Sequence, residues 1–327
     1  MVKRAIAALV CAALAVGLCS CGRKTAPDPD TEGSTSGPVP ESVSQAETSP
    51  AESDAPVQAQ PGRVLRGADT GNPNTYTGYD PLPEVTFAVE DPENTAGLST
   101  EKIAHSYGVA KNGEAAQTSK DNQKLYAQYG GLTLDTSGEK VIYLTFDCGY
   151  ENGYTEKILD VLREKQVPAA FFVTRPYVES SPEIVARMIR EGHIVGNHSD
   201  KHPDFSTISR TRMAEEIQSV DNLLRTEFGY SAPYFRFPEG ACSISALELV
   251  QSIGYTSVFW SSAYADWDPD NQKGADYAYQ TVMDRLHPGC VQLLHAVSKD
   301  NAEALGRMID AARGQGYTFR SLEEYTA

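Results

Sequence analysis

The sequence predicts an α/β fold: a (β/α) barrel of about seven parallel strands, distorted and TIM-like, preceded by a disordered tether. Short apolar runs alternate with amphipathic helix patterns from Glu139 onward. From Gly22 to about Thr75 the chain is poor in large apolar residues. The unusual polar residues of the second half fall just after strand-like runs, the end where barrels and open sheets alike place their chemistry. A doubly wound open sheet is the alternative assembly of the same units.

Lys3 and Arg4 precede an apolar stretch from Ala5 to Leu18, too short for a comfortable membrane span and suited to a signal-peptide core. Residues 1–20 are therefore expected to be a lipoprotein signal peptide. The sequence Leu18-Cys19-Ser20-Cys21 resembles a bacterial lipobox, with Cys21 lipidated after small Ser20; a plain secretory signal is the competing reading. Two acyl chains would anchor the protein stably at the outer face of the membrane. Residues 21–75 are rich in Pro, Ser, Thr, Ala, Glu and Asp and cannot bury enough surface to offset their ordering entropy, so a disordered linker is expected. Residues 76–138 form an extension packed on the main domain, with "VTFAVE" as a short strand and "DNQKLYAQYG" as a helix stopped by Gly130 and Gly131.

Residues 139–327 carry the βα rhythm. "VIYLTFD" is a strand. "TEKILDVLREK" follows as a helix, with Ile158, Leu159 and Leu162 on one face behind a Thr155 cap. "PAAFFVT" is a buried strand, and "SPEIVARMIREG" a helix with Ser181 as N-cap, Pro182 at the first helical position and Gly192 as stop. "HIVGN" is a strand, and a long helix from about Ser209 to Phe228 turns Met213, Ile217, Val220 and Leu224 inward. "YFRFP", "TSVFW", "CVQLLH" and "YTFRS" are the remaining strands, separated by the helices "SALELVQSIG", "DYAYQTVMDRL" and "NAEALGRMIDAARGQG".

A formal net charge of −16 argues against nucleic acid as a partner. Of the six cysteines, Cys11 and Cys19 leave with the signal and Cys21 is capped, so an odd set of Cys148, Cys242 and Cys290 remains. At the strand ends stand Asp147 and Cys148, His198, Arg236, Asp266 and His295. "HSDKH" sets His198 and His202 four apart, a spacing suited to two imidazoles on one metal, although Pro203 demands a turn or a short helical loop. The other histidines have ordinary expectations: His105 on the surface, His193 at a strand start, His287 in a loop.

In order, "TFDCG", "HSDKH", "RFPEG", "ADW" and "VQLLH" resemble the polysaccharide deacetylases of carbohydrate esterase family 4, the NodB-homology domain, over roughly Lys140 to Tyr325. "YENGYT", "NQKG" with "YAY", and "SKDNAEAL" resemble the branch of muramic-δ-lactam-forming de-N-acetylases that act on peptidoglycan. The resemblance implies Asp147 as base, His198 and His202 as metal ligands, and Arg236 as the residue orienting the base. It further implies Asp266 as the acid tuning a catalytic His295, with Trp267 and Leu293 lining a pocket for the acetyl methyl. It also implies a divalent metal, zinc being the expected one, and peptidoglycan or a related N-acetylated glycan as partner. The protein is expected to act outside the cytoplasm as a lipid-anchored monomer. Two positions depart from the family pattern: Cys148 where a second acid is usual, and Ala263 where an acid three residues before Asp266 is usual. Cys148 is open to three readings: a thiolate ligand completing a Cys-His-His zinc site, a small neutral filler, or a disulfide partner of Cys242. Deacetylation of another N-acetylglucosamine polymer, and a surface glycan-binding protein that has lost the chemistry, are the competing functions.

Overall fold

The structure, a computed structural model, describes residues 74–325. The signal peptide, Cys21 and all of the linker up to residue 73 lie outside the described residues. Among the described residues no helix is long and apolar enough to cross a membrane.

Seven parallel strands form one curled sheet. In chain order they are β2 (Val141–Cys148), β3 (Ala169–Val173), β4 (Ile194–Asn197), β5 (Tyr234–Phe235), β7 (Thr256–Ser257), β8 (Cys290–His295) and β9 (Thr318–Phe319). Their spatial order is β7-β5-β4-β3-β2-β8, with β9 beside the start of β2. β2 is buried at all eight positions, which is why its sequence is a nearly continuous apolar run rather than an alternating one. A second, antiparallel pair joins β1 (Ile103–Ala104) to β6 (Ala241–Cys242).

The sheet curls far enough for its two edges to meet. Leu132 donates its N–H to Ser257 and accepts from Phe259, so it bridges to the β7 edge. Leu134 pairs with Cys290 on β8, and Asp135 donates to Gly289. Higher up, Ser261 and Ser262 donate to Val291 directly, and Leu293 donates back to Ser262. Residues 132–135 of the extension thus fill the seam of the half-barrel.

Helices α2 (Thr155–Lys165), α4 (Pro182–Arg190), α7 (Ala275–Asp284) and α8 (Lys299–Gly314) cover the outer face and share the main apolar core with β2, β3 and β8. A second cluster joins α1 (Gln117–Tyr126), α5 (Arg210–Phe228) and α6 (Ile244–Ser252) around Phe235, Phe237 and Phe259. The short helix α3 (Arg175–Ser180) follows β3 under a Thr174 cap. Gly130 ends the α1 region in the left-handed conformation, as its sequence position suggests.

Two local expectations fail. "VTFAVE" is extended but pairs with no strand; Val85 and Phe87 give their N–H groups to the side chains of Asn222 and Gln218 on α5. A helix offers only side-chain partners to such a segment, so no ladder can form. Thr155 is not the cap of α2 but its first residue. The cap position is Tyr154, which makes no capping bond; Glu151 upstream serves instead, its carboxylate accepting from the backbone of Gly153, Tyr154 and Thr155 and from the hydroxyl of Tyr177.

Candidate active site

Strand register puts Asp147 and His295 side by side. They are Cα partners on adjacent parallel strands β2 and β8, and on the other side Asp147 stands opposite Phe172, which stands opposite Gly196. Partners in register share a face, so His295, Asp147 and Phe172 form one layer pointing into the curl of the sheet. Gly196 is required in that layer: a Cβ there would come within 2.6 Å of the Phe172 ring. The ring in turn carries the Arg236 guanidinium, 4.1 Å from its centroid.

Arg236 is wholly buried just past β5. It donates to Asp147 Oδ1 at 2.8 Å and to the carbonyls of Val258 and Phe259 at 3.0 and 3.1 Å. Burial, the largest single influence, favours the neutral acid at Asp147, but the Arg236 charge and hydrogen bond together with the neighbouring His198 and His295 outweigh it and hold the carboxyl below the usual carboxylate value. Asp147 is therefore an ionised base in a nearly dry site.

Across from it, His295 is anchored by Asp266, from the loop after β7. Asp266 Oδ1 lies 2.7 Å from His295 Nδ1, and its Oδ2 accepts the His295 backbone N–H at 2.8 Å. Burial favours the neutral ring, yet the Asp266 carboxylate, aided by Asp147, raises His295 above the ordinary imidazole value. Asn301 on α8 donates to Asp266 Oδ2 at 2.6 Å and to the His295 carbonyl at 3.2 Å, and it accepts from Tyr264 Oη at 2.5 Å. A carboxylate held ionised and an imidazole biased toward its cation thus stand in register on neighbouring strands, an arrangement suited to a base and an acid acting on one bond.

His198 follows β4. Its Nδ1 lies 2.8 Å from the Arg236 carbonyl, which can only accept, so Nδ1 carries the proton and Nε2 keeps its lone pair. That Nε2 is 3.7 Å from Asp147 Oδ2. Burial lowers the His198 pKa to about 4, so the ring is neutral, as a ligand must be. His202 is exposed, with its ring 4.8 Å from that of His198. Neither a helix nor a strand presents the pair: Ser199 and His202 both adopt positive φ, 74° and 55°, a costly conformation for residues with side chains.

Cys148 does not join the histidines. Its register partners are Val173 and, beyond it, Asn197, whose side chain donates to the Ile217 carbonyl of α5. That layer faces the helices, one residue out of phase with Asp147. The thiol is fully buried in the main core, and burial, together with the charges of Asp147 and Glu151, pushes its pKa well up. Burial therefore favours the neutral thiol over the thiolate, and among the described residues no group of three or more His, Cys, Asp or Glu side chains that could hold a metal is formed. The disulfide reading is corrected: Cys148 and Cys242 are free and lie in separate clusters. Of the two readings left, the register and the burial of the thiol favour the small neutral filler. The two imidazoles fit a divalent cation as nitrogen donors.

Leu293, two residues before His295 and on the same face, is buried with Trp260, Ala263 and the partly buried Tyr107. Trp267 is 53% exposed and stands edge-on to the His295 ring at 5.9 Å. His105, expected on the surface, is buried; its Nε2 meets the Trp260 carbonyl at 2.9 Å, and burial lowers its pKa to about 4. The sequence reading missed Tyr264, Asn301 and Trp260. Asn301 stood in the "SKDNAEAL" run and in the first turn of α8, three residues after the Ser298 cap.

The family pattern described as polysaccharide deacetylase matches residues 135–258, which include Asp147, His198, His202 and Arg236. The peptidoglycan-N-acetylmuramic acid deacetylase PdaA of Bacillus subtilis is 42% identical over 228 residues, spanning 69% of this chain and 87% of that protein. The chain belongs to the polysaccharide deacetylase family. The solved structure of that Bacillus subtilis protein, a family 4 carbohydrate esterase, superposes with a TM-score of 0.68 at 41% identity, covering 70% of this chain and 98% of that one. A family 4 carbohydrate esterase from Bacillus anthracis gives a TM-score of 0.58 at 41% identity, covering 70% and 97%. Family membership makes the chain a hydrolase of amide bonds on polysaccharide. Asp266 and His295 lie beyond the matched stretch and reach the site through the fold.

Proposed function

We propose that this protein removes the acetyl group from N-acetylmuramic acid in peptidoglycan, using a divalent metal, with zinc the cation that best suits the donors. The observation that carries the reading is the in-register pair of Asp147, its carboxyl pulled down chiefly by Arg236, and His295, its imidazole pulled up by Asp266. His198 and His202 would hold the cation. When bound, it would supply polarisation of the acetamide carbonyl and acidification of water.

The side chains account for the rest of the chemistry. Asp147 takes a proton from the attacking water, and Arg236 keeps it ionised to do so. His295 donates its proton to the sugar nitrogen, because an amine leaves an amide only when protonated. Asp266 keeps the ring charged and aims its Nε2 outward by holding Nδ1. Leu293 and Trp267 offer apolar surface beside His295 for the acetyl methyl. The similarity to PdaA supports muramic acid as the sugar. The Leu18-Cys19-Ser20-Cys21 sequence supports a lipid anchor on Cys21 at the outer face of the membrane.

The test is acetate release from defined muropeptides and from chitin oligosaccharides, with metal analysis of the purified protein. Release from muropeptides alone supports the proposal. Release from chitin oligosaccharides alone replaces muramic acid by glucosamine. Tight glycan binding with no turnover under any added metal replaces the enzyme by a binding protein. Loss of membrane association in a Cys21→Ala variant tests the anchor.

A further inference from the structure

We propose that Asn301, held by Tyr264, is a positioning residue of this site: its carboxamide fixes how Asp266 faces the His295 ring and so aims the proton donor. The inference rests on the deacetylase reading and deepens it.

Asp266 has two oxygens with different duties. Oδ1 faces His295 Nδ1 at 2.7 Å and has no other recorded donor. Oδ2 accepts both the His295 backbone N–H at 2.8 Å and Asn301 Nδ2 at 2.6 Å. Two donors on Oδ2 hold the carboxylate plane and leave Oδ1 for the ring alone. Asn301 Nδ2 also reaches the His295 carbonyl at 3.2 Å, so one amide nitrogen ties the carboxylate to the backbone of the residue it orients.

An amide can present either end, and the wrong end would set an oxygen against Asp266. Tyr264 decides the matter. Its hydroxyl lies 2.5 Å from Asn301 Oδ1, and burial pushes the phenol pKa far up, so it stays a donor. A donor on one side and a carboxylate on the other leave a single orientation for Asn301. Asn301 is fully buried and Tyr264 is 5% exposed, so water is a poor substitute for either. Ser298 caps α8 by accepting from the Asn301 N–H and donates to Gln272 at 2.7 Å, which fixes the helix turn that carries Asn301. The charged groups facing His295 are Asp266 from the loop after β7, Asp147 from β2 and Arg236 from β5; Asp300 on α8 lies near Tyr264.

The test uses the full chain with defined muropeptides, and ¹⁵N-histidine labelling to follow the His295 Nδ1 proton without substrate. Asn301→Ala is expected to lower kcat by about 10²-fold, the scale of a misaimed group, with KM within about twofold. Tyr264→Phe removes one hydroxyl and is expected to cost about five- to tenfold in kcat. In both variants the Nδ1 proton resonance moves upfield and exchanges faster, and the alkaline limb of the kcat profile moves down. A fall in kcat with the Nδ1 resonance and the alkaline limb unmoved would overturn the proposal, because it would mark general loosening. Unchanged kcat would overturn it as well. If Asn301→Ala does not fold, Tyr264→Phe decides by the same criteria. A wild-type chain that releases no acetate sinks the deacetylase reading, and the resonance in the variants still decides whether Asn301 orients the ring.

Discussion

Replacing Arg236 by Met keeps an unbranched apolar stem and removes the charge and all three side-chain hydrogen bonds. The guanidinium nitrogen sits 2.8 Å from Asp147 Oδ1, with Arg236 wholly buried and the Asp147 side chain 9% exposed. At a charge separation of about 4 Å and an effective dielectric of about 20, the lost attraction is ~4 kcal/mol. Independent experience with one-sided removal from buried pairs gives about 3–5 kcal/mol, in agreement. The carbonyls of Val258 and Phe259 lose a donor too, which adds to the cost. For a domain of this size the melting temperature should fall by roughly 8–16 °C. The assay is urea unfolding at pH 7 of Arg236→Met, Asp147→Asn and the double variant. The double variant should recover at least ~2 kcal/mol relative to the sum of the singles, since it leaves no orphaned charge. The folded-state pKa of Asp147 lies below its ordinary 3.8. The coupling is therefore fully present above 3.8 and lost as pH falls through the lowered value. Single variants that add to the double within about 0.5 kcal/mol would refute the electrostatic account of this pair.

Acetate release should fall as pH rises through the His295 pKa, which lies above 6.5, because only the cationic ring donates a proton; Asp266→Asn should move that limb toward or below 6.5. Cys148→Ala should leave zinc affinity within about twofold and cost about 1 kcal/mol in unfolding experiments, the scale for a methyl-sized cavity; a tenfold loss of zinc affinity would return the thiolate to the ligand set. Glu151→Ala should cost about 1–2 kcal/mol, because the first turn of α2 loses its acceptor. Thermal unfolding reads that loss, and an unchanged midpoint would mean that other groups cap the helix.

How much of this was legible in the sequence depended on the scale of the signal. Long elements were plain: the run ending at Asp147 and the 3.6-residue rhythm of α5 and α8 each state their own period. Two-residue strands β5 and β7 were visible only as longer apolar stretches, since most of each run pairs through isolated bridges or lies in the turn beyond. The six-residue α3 was missed because "RPYVES" is too short to show a period. Asp147, Arg236, Asp266 and His295 could be picked out because each ends or follows a strand. Cys148 also ends a strand, but its side depends on whether the pleat continues through it, which composition does not reveal; β2 does continue, and the thiol turns outward. His105 was expected on the surface, and the packing of residues 103–105 against Gly240 and Trp260 buries it. Asn301 stood inside the quoted "SKDNAEAL" run, but nothing local tied it to the site, because its partners Asp266 and Tyr264 lie 35 and 37 residues away along the chain.

The stitch made by Leu132 and Leu134 has a practical consequence for anyone cutting this gene. Starting expression at the first signature motif, near residue 139, would amputate the strip that spans Ser257–Phe259 on one side and Gly289–Cys290 on the other. Both rims would then present bare amides and carbonyls, an adhesive surface for other copies of the same fragment. The minimal piece that stays soluble on its own should begin upstream of α1, even though every recognisable signature lies downstream of it.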